Sequence, residues 1–296
     1  MEDQHTQEIG KHAASLSLVE IGIGSLLHSL HVPLAGQFLS VNQIAFMTRV
    51  SFKTQNAKSA VSLSLITSLL KSLSPAGKKL LPMLAIASQG LLYSVGPTLF
   101  GLNFIGLLIG CILSCTWAFI QPVLFIFLLF GQTSLEVYQH FIAEFSKFVP
   151  DVEHIIVWVV LTTLVIKIIV AVELSLFIKN MSDEDFLDYE KRLIKENKST
   201  TKAATKSAWL GAITDLLSPL FLISYAFTAV FFYFSHSTTS TIIWQMMRPL
   251  AIGYIIFYLV RVYPVENLSS KLEKMGFKSL GASLKIAIEK IRSLNF

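Results

Sequence analysis

The chain carries little charge for its size, because only 15% of its 296 residues are Asp, Glu, Lys or Arg, while 53% are hydrophobic. Water-soluble domains usually carry about 25% charged residues, so the composition excludes an ordinary soluble globular protein. Long apolar runs are present instead, and about 20 such residues span a bilayer as a helix. The composition therefore predicts an all-α, polytopic transmembrane helical bundle. The clearest apolar runs are 101–130, 154–178, 208–234 and 241–260.

The sequence also lacks the short motifs of common catalytic sites, namely HExxH, GxSxG, the Walker glycine loop and CxxC. Its seven histidines are dispersed. Its two cysteines, Cys111 and Cys115, lie four residues apart in an apolar run, and we expect them to be packing residues rather than a disulfide or a metal site. We therefore predict no catalytic activity, no metal site and no cofactor. The net charge of +5 does not indicate nucleic acid, because basic residues in a membrane protein mostly mark the cytoplasmic side.

The start of the chain, "MEDQHTQEIGKHAAS", is polar and mixed in charge, unlike a cleavable signal peptide.

The distribution of apolar runs along the chain predicts about eight spans and four regions. Pro122 leaves open whether the fifth helix is one span or two. The predicted helices are about 13–31, 38–52, 59–73, 81–97, 100–131, 154–178, 208–235 and 241–261. The regions are a six-helix membrane domain (1–178), a charged cytoplasmic loop (179–207), two further transmembrane helices (208–262) and an amphipathic cytoplasmic tail (263–296).

The basic residues predict the orientation of these spans. If both termini are cytoplasmic, 18 Lys and Arg residues fall on the inner side, 4 fall in outer loops and two lie within spans. This bias agrees with the positive-inside rule. The segment "KSLSPAGKKLLP" is the exception, because it places three lysines outside. With this orientation, the proline-containing elbows "HVPLAGQF" and "LSPAGKKLLP" face outward.

Two polar segments are predicted to form amphipathic helices on the cytoplasmic side. Ser182 followed by Asp185 resembles a capping box and predicts a short helix over about 183–197. The tail alternates apolar and basic residues with helical spacing, and we expect a break near Gly276 or Gly281. Such a basic amphipathic helix suits the anionic inner surface of a membrane, and docking of a partner protein is the alternative.

Two charged residues are predicted to lie at mid-depth within spans, where a charge is costly and usually faces the interior of the bundle. Glu20 is in the first predicted helix and Lys167 is in the sixth. Because both fall at a similar depth, we predict that they form an intramembrane ion pair. The pair would fix helix packing, and a ligand or ion path is the alternative.

Polar and aromatic residues cluster in the first 130 positions and predict an outward-facing cavity for a small organic molecule. Aromatic side chains would stack on such a ligand, and amides would orient it. Contacts between helices and interfacial aromatic belts are the alternative explanation for the same residues. The candidate ligand-binding residues are His31, Gln37, Asn42, Lys78, Lys79, Gln89, Tyr93, Trp117 and Gln121.

Residues 10–178 resemble the substrate-binding S-components of energy-coupling factor vitamin transporters. The stretch "LLKSLSPAGKKLLPMLAIASQGLLYSVGPTLFGLNFIG" carries the resemblance, with a short helix ending in Leu-Lys, an outer loop and a helix rich in small residues. The resemblance implies six helices with cytoplasmic termini, and outer loops that close over a vitamin-like molecule. It also implies a transmembrane coupling subunit with an ATPase and a bacterial inner membrane. The last 118 residues lie outside the resemblance.

We therefore expect an integral membrane subunit that captures a small vitamin-like molecule from outside and depends on a separate energising partner. The two lysines of the second elbow favour an anionic ligand. The alternative is a non-catalytic membrane scaffold that recruits partners through its cytoplasmic loop and tail. An intramembrane enzyme is a third possibility and would need catalytic side chains that converge at one depth. The lipid bilayer is a partner in every case.

Overall fold

The computed structural model describes residues 2–24, 35–72, 80–195 and 265–293, together with scattered positions between 209 and 258. Within these residues every regular element is an α-helix, which confirms the all-α part of the predicted fold class. The described helices are α1 (Glu2–Ile21), α2 (Ala35–Lys53), α3 (Lys58–Lys71), α4 (Leu80–Phe100), α5 (Phe104–Phe130), α6 (Thr133–Phe145), α7 (Val152–Asn180), α8 (Asp183–Lys195), α9 (Val265–Lys274) and α10 (Lys278–Ser293).

Among the described residues, three helices are long and apolar enough to cross a membrane, and the prediction of an integral membrane protein is supported to that extent. These candidate spans are Leu81–Phe100, Phe104–Leu124 and Val152–Asn180. The predicted count of eight spans is not supported. The 14 residues of α3 reach only about 21 Å, which is less than the ~30 Å of a hydrocarbon core. The predicted helices at 208–235 and 241–261 lie almost entirely outside the described residues.

The chain divides into two compact units. The first comprises Met1–Ala118, Ile166–Thr205 and Tyr263–Phe296, and the second comprises Phe119–Val165 and Lys206–Val262. The long helices α5 and α7 each contribute residues to both units.

Helix α1 forms the centre of the first unit. It packs against α2, α3, α8 and α10, and its Ala13, Leu16 and Val19 have no solvent exposure. The sequence predicts a first helix beginning near residue 13, but the helix begins at Glu2. The polar start of the chain is helical because α10 covers it. A Cβ atom on Gly10 would lie only 2.8 Å from the carbonyl oxygen of Ser283 in α10.

Helices α4 and α5 approach each other closely through glycines. A Cβ atom on Gly96 would lie 2.2 Å from the carbonyl oxygen of Gly106 and 2.4 Å from the amide nitrogen of Gly110. Gly106 and Gly110 are four residues apart, and small residues at this spacing allow helix backbones to come together in many membrane helix pairs. The seam holds the two candidate spans α4 and α5 against each other.

The predicted helix of the charged loop is confirmed as α8. Ser182 precedes it, and its Oγ atom accepts a hydrogen bond from the backbone N–H of Asp185 at 3.1 Å. The same hydroxyl donates to the Asp185 side chain at 2.6 Å, so of the two capping-box hydrogen bonds the one to the Ser182 hydroxyl is present. The helix begins where the sequence predicts and presents Phe186 to the interior of the first unit.

The tail forms two helices, and the predicted break lies at Gly276, which adopts a φ of 93°. Gly281 instead lies inside α10. The sequence predicts that the apolar face of this tail lies on the membrane or on a partner. In the structure, α10 packs on α1 and buries Leu284, Ala287 and Ile291, so this face is occupied within the chain.

In the second unit, the end of α5 is followed by α6 and then by the start of α7. The sequence predicts an outer loop here, whereas residues 133–145 are helical. Gly131 (φ 61°) and Asp151 (φ 58°) adopt left-handed conformations at the two ends of the connection between α5 and α7. Pro122 is accommodated inside α5, which continues as a single helix to Phe130.

Candidate functional site

Gln37 and Lys167 form the polar contact that best resembles a ligand site in the first unit. The Lys167 Nζ atom donates a hydrogen bond to Gln37 Oε1, and Gln37 Nε2 donates to the carbonyl oxygen of Ala118 at 3.3 Å. This contact joins α2, α5 and α7. Lys167 is only 6% exposed. A buried ammonium group therefore lies next to a half-buried amide. This amide is in the first turn of α2, within the predicted outer elbow "HVPLAGQF".

Glu20 pairs with Lys71, so the predicted Glu20–Lys167 pair is wrong. Lys71 Nζ lies 3.5 Å from Glu20 Oε2 and also donates to the backbone carbonyl oxygen of Glu20. Both side chains are buried. The prediction assumed that the lysine of "LLK" belongs to an outer loop. It lies instead in the last turn of α3, which packs on α1.

Three predicted ligand-binding residues form hydrogen bonds between helices. Asn42 Oδ1 accepts a bond from the Tyr189 hydroxyl at 2.8 Å, and the Tyr93 hydroxyl lies 2.8 Å from Thr48 Oγ1. Trp117 Nε1 donates to Ser88 Oγ at 2.5 Å. These contacts agree with the alternative explanation, in which such residues mark helix packing.

The other candidates fall into two groups. Gln89 is buried on α4, and Gln121 is half-buried on α5 in the second unit. His31, Lys78 and Lys79 lie outside the described residues. The described part of the site therefore consists of Gln37 and Lys167, with the Glu20–Lys71 pair elsewhere in the same unit.

Gln43, which is not among the predicted ligand-binding residues, is 1% exposed on α2. Its Nε2 atom donates to the carbonyl oxygen of Ile86 at 2.7 Å and to Ser64 Oγ at 3.2 Å, so it joins α2, α3 and α4. The sequence does contain an indication of this role, because Gln43 is an amide next to apolar residues in a predicted helix. A buried amide without a hydrogen-bond partner is costly, so such a residue is expected to bond to a neighbouring helix.

A second polar cluster lies where α8 contacts α1 and α10. The sequence did not predict this cluster. His12 Nδ1 lies 2.7 Å from Glu190 Oε1, and His12 Nε2 lies 3.5 Å from Glu8 Oε2. On the other side of Glu190, Lys290 Nζ of α10 lies 3.8 Å from Oε2. Glu190 therefore bridges α1 and α10, which are at opposite ends of the chain.

Ion pairs join the start of α8 to α2. Arg49 forms an ion pair with Asp183, and Lys53 Nζ lies 3.0 Å from Asp183 Oδ1. Lys53 also lies 2.9 Å from Glu8 Oε2, which connects this pair to the His12 cluster. The Arg49 guanidinium lies 5.2 Å from the centre of the Phe186 ring, within the range of a cation–π contact.

The carboxylates of this cluster determine the charge of His12. Burial by itself lowers the pKa of His12, but the hydrogen bond with Glu190 and the nearby carboxylates of Glu190 and Glu8 outweigh burial, so the pKa is raised above its usual 6.5. The His12 ring, whose Nε2 atom lies 3.5 Å from Glu8 Oε2, lowers the pKa of Glu8 to about 2, with a contribution from Lys53. The two glutamates therefore favour the protonated form of the His12 ring relative to a free histidine.

No group of three His, Cys, Asp or Glu side chains suitable for a metal ion occurs among the described residues. Cys111 and Cys115 are both free and buried. The Cys111 Sγ atom lies 3.7 Å from Ser175 Oγ, in a contact between α5 and α7.

A scan against protein-family models, a search of curated proteins and a search of solved structures each find no match to this chain.

Proposed function

We propose that this protein is an integral membrane substrate-binding subunit that captures a small vitamin-like molecule from the outer side of a bacterial inner membrane. In this proposal both termini are cytoplasmic, and the chain has no catalytic activity of its own. Transport depends on a separate transmembrane coupling subunit with an ATPase. The three apolar helices α4, α5 and α7 support membrane insertion. The resemblance of residues 10–178 to vitamin-transporter S-components supports the rest.

The observation that carries the proposal is the contact between Gln37 and Lys167. Charged groups inside membrane bundles are costly, and they are retained mostly where a ligand, an ion or a charge pair uses them. An ammonium group and an amide on neighbouring helices can bind and orient a polar ligand. Because Lys167 lies on the candidate span α7, we propose that it contacts the captured molecule.

Binding to the purified protein in lipid nanodiscs tests this function. We expect one member of a vitamin panel to bind with a micromolar or tighter dissociation constant by isothermal titration calorimetry. Lys167→Met should weaken that binding by about tenfold or more, because a hydrogen bond to a charged group contributes about 1.5–3 kcal/mol. Lys191→Met is the matched control, because Lys191 is exposed on α8 and pairs with Asp188.

Two results would contradict the proposal. One is that no member of the panel binds at micromolar concentration while the protein remains folded. The other is that both lysine variants bind the ligand equally well, which would place the site away from Lys167.

A non-catalytic scaffold is the second candidate function, and the turn between α9 and α10 favours it. Met275 is 71% exposed and Phe277 is 56% exposed there, with lysines nearby in both helices. Replacing both residues by serine should release a cytoplasmic partner without changing thermal stability. Deletion of 265–296 is a poorer test, because it also removes the face of α10 that covers α1.

A further inference from the structure

Helix α6 separates its apolar and polar residues onto opposite sides. With about 100° between successive residues of a helix, the residues at intervals of three and four share an arc. The apolar arc, as we name it, carries Leu135, Val137, Tyr138, Phe141, Ile142 and Phe145. The opposite arc carries Glu136, Gln139, His140, Ala143 and Glu144.

Much of the apolar arc is exposed. Leu135 is 52% exposed, Tyr138 is 48% exposed and Phe145 is 54% exposed. Phe148, in the turn that follows α6, is also exposed. A contiguous exposed apolar patch of this kind usually marks a surface that contacts a membrane or another molecule. We therefore expect the apolar arc to be covered rather than to face water.

The neighbouring helices indicate what covers this arc. Helix α6 connects two candidate spans, α5 and α7, and the chain turns at Gly131 and Asp151 on either side of it. The adjoining parts of both spans, which lie in the same unit, also expose large apolar side chains. These are Ile120, Val123, Ile126 and Phe127 on α5, and Ile155, Val157, Trp158 and Val159 on α7.

We infer that α6 lies in the membrane–water interface, with its apolar arc in contact with lipid and its polar arc in water. The arc and the exposed apolar side chains of both flanking spans belong to the same unit, so the bilayer is the occupant that fits the arc. Tyr138 and Trp158 are the residue types that gather at this depth. This inference does not depend on the proposed transport function.

The charges of α6 indicate how it binds lipid. Glu136 and Glu144 lie on the polar arc, and Lys147, which follows the helix, is 2.6 Å from Glu144. The segment therefore has no excess of basic residues to attract anionic headgroups. Burial of the apolar arc provides the binding energy, and zwitterionic lipid is sufficient for it.

Spin labelling of the full-length protein in phosphatidylcholine nanodiscs tests the inference. Single cysteines replace Tyr138 and Phe145 on the apolar arc, and Glu136 and Ala143 on the polar arc. We expect labels at the first pair to collide more with oxygen, which dissolves in lipid, and labels at the second pair to collide more with a water-soluble nickel complex. The native cysteines are buried and remain unlabelled.

A lipophilic carbene footprint of the unmodified protein gives a second measurement that needs no substitution. It should label the apolar arc and leave the polar arc unlabelled. Preferential collision with the nickel complex at all four positions would overturn the inference, because α6 would then lie in water. Protection of Tyr138 and Phe145 from both reagents would also overturn it, since protein rather than lipid would then cover the arc.

Discussion

His12 and Glu190 are 178 positions apart in the sequence, yet the His12 Nδ1 and Glu190 Oε1 atoms are 2.7 Å apart in a buried contact. Around this contact α8 crosses α2, α1 and α10 in turn, through Asp183, Phe186 and Glu190. A short, highly charged helix therefore holds together both ends of the chain.

Glu190→Gln should lower the stability of the protein. The substitution removes the negative charge that His12 and Lys290 face in a buried site, and hydrogen bonds to charged groups contribute about 1.5–3 kcal/mol. We expect a clearly lower Tm in detergent by differential scanning fluorimetry. Asp188→Asn, in the exposed pair with Lys191, is the matched control and should leave Tm unchanged. Equal Tm values for the two variants would show that Glu190 is not a structural bridge.

Stability should depend on pH through His12 and Glu8. Because the folded pKa of His12 is raised, its contribution is complete below pH 6.5 and is lost as the pH rises through the raised value. The folded pKa of Glu8 is about 2, so its contribution is present above about pH 4.5 and is lost as the pH falls toward 2. A Tm profile against pH should therefore fall on both sides of a mildly acidic maximum. His12→Gln should remove the alkaline decline, and its persistence in that variant would contradict the assignment.

The apolar helices could be predicted from the sequence, whereas the pairing of polar residues could not. Helices α5 and α7 follow directly from long apolar runs, because burial in lipid depends only on composition and length. The early start of α1 could not be predicted from local pattern, since α10 supports it from the other end of the chain. The partner of Glu20 depends on how α1 and α3 pack. The predicted membrane depths of Glu20 and Lys167 do not show which helices are neighbours.

In the candidate site, too, single residues could be predicted from the sequence but their contacts could not. Gln37 and Lys167 were predicted separately as polar residues of interest, but only the fold brings them into contact. Gln43, which resembles Gln37 in its sequence setting, proves to be a packing residue. The sequence did not predict helix α6, because glutamates and a histidine interrupt its apolar residues and leave no continuous apolar run long enough to span a membrane.

Gly96→Ala should destabilise the bundle. The added methyl group would lie 2.2 Å and 2.4 Å from backbone atoms of α5, which cannot move aside as a flexible side chain can. Overpacking of this kind costs about 1–3 kcal/mol or more. Gly36→Ala is the control, because a Cβ atom at that helical position meets nothing within 4 Å. The first variant should lower the midpoint of chemical unfolding, and the second should not. A neutral Gly96→Ala would disprove the close seam.

Leu284→Ala should show that the tail is part of the folded core. Leu284 has no exposure on α10, which packs against α1, so the loss of its side chain should cost about 2–5 kcal/mol. Lys285→Ala, on the exposed side of the same helix, should have little effect on Tm. If neither substitution changed Tm, the tail would be detached from α1 in solution, and its apolar face would be available to a membrane or partner.

A double-mutant cycle should distinguish the Glu20–Lys71 pair from the pair that the sequence predicts. Lys71→Met leaves the Glu20 carboxylate buried without its ammonium partner, which costs about 3–5 kcal/mol for a buried pair. Adding Glu20→Gln should recover part of that loss, so the two changes together should cost less than their sum by about 0.5–3 kcal/mol. Glu20→Gln combined with Lys167→Met should instead be additive within about 0.5 kcal/mol. Unfolding midpoints of the single and double variants in one detergent provide these values. Strong coupling with Lys167 and none with Lys71 would restore the original pairing and contradict the packing of α3 on α1.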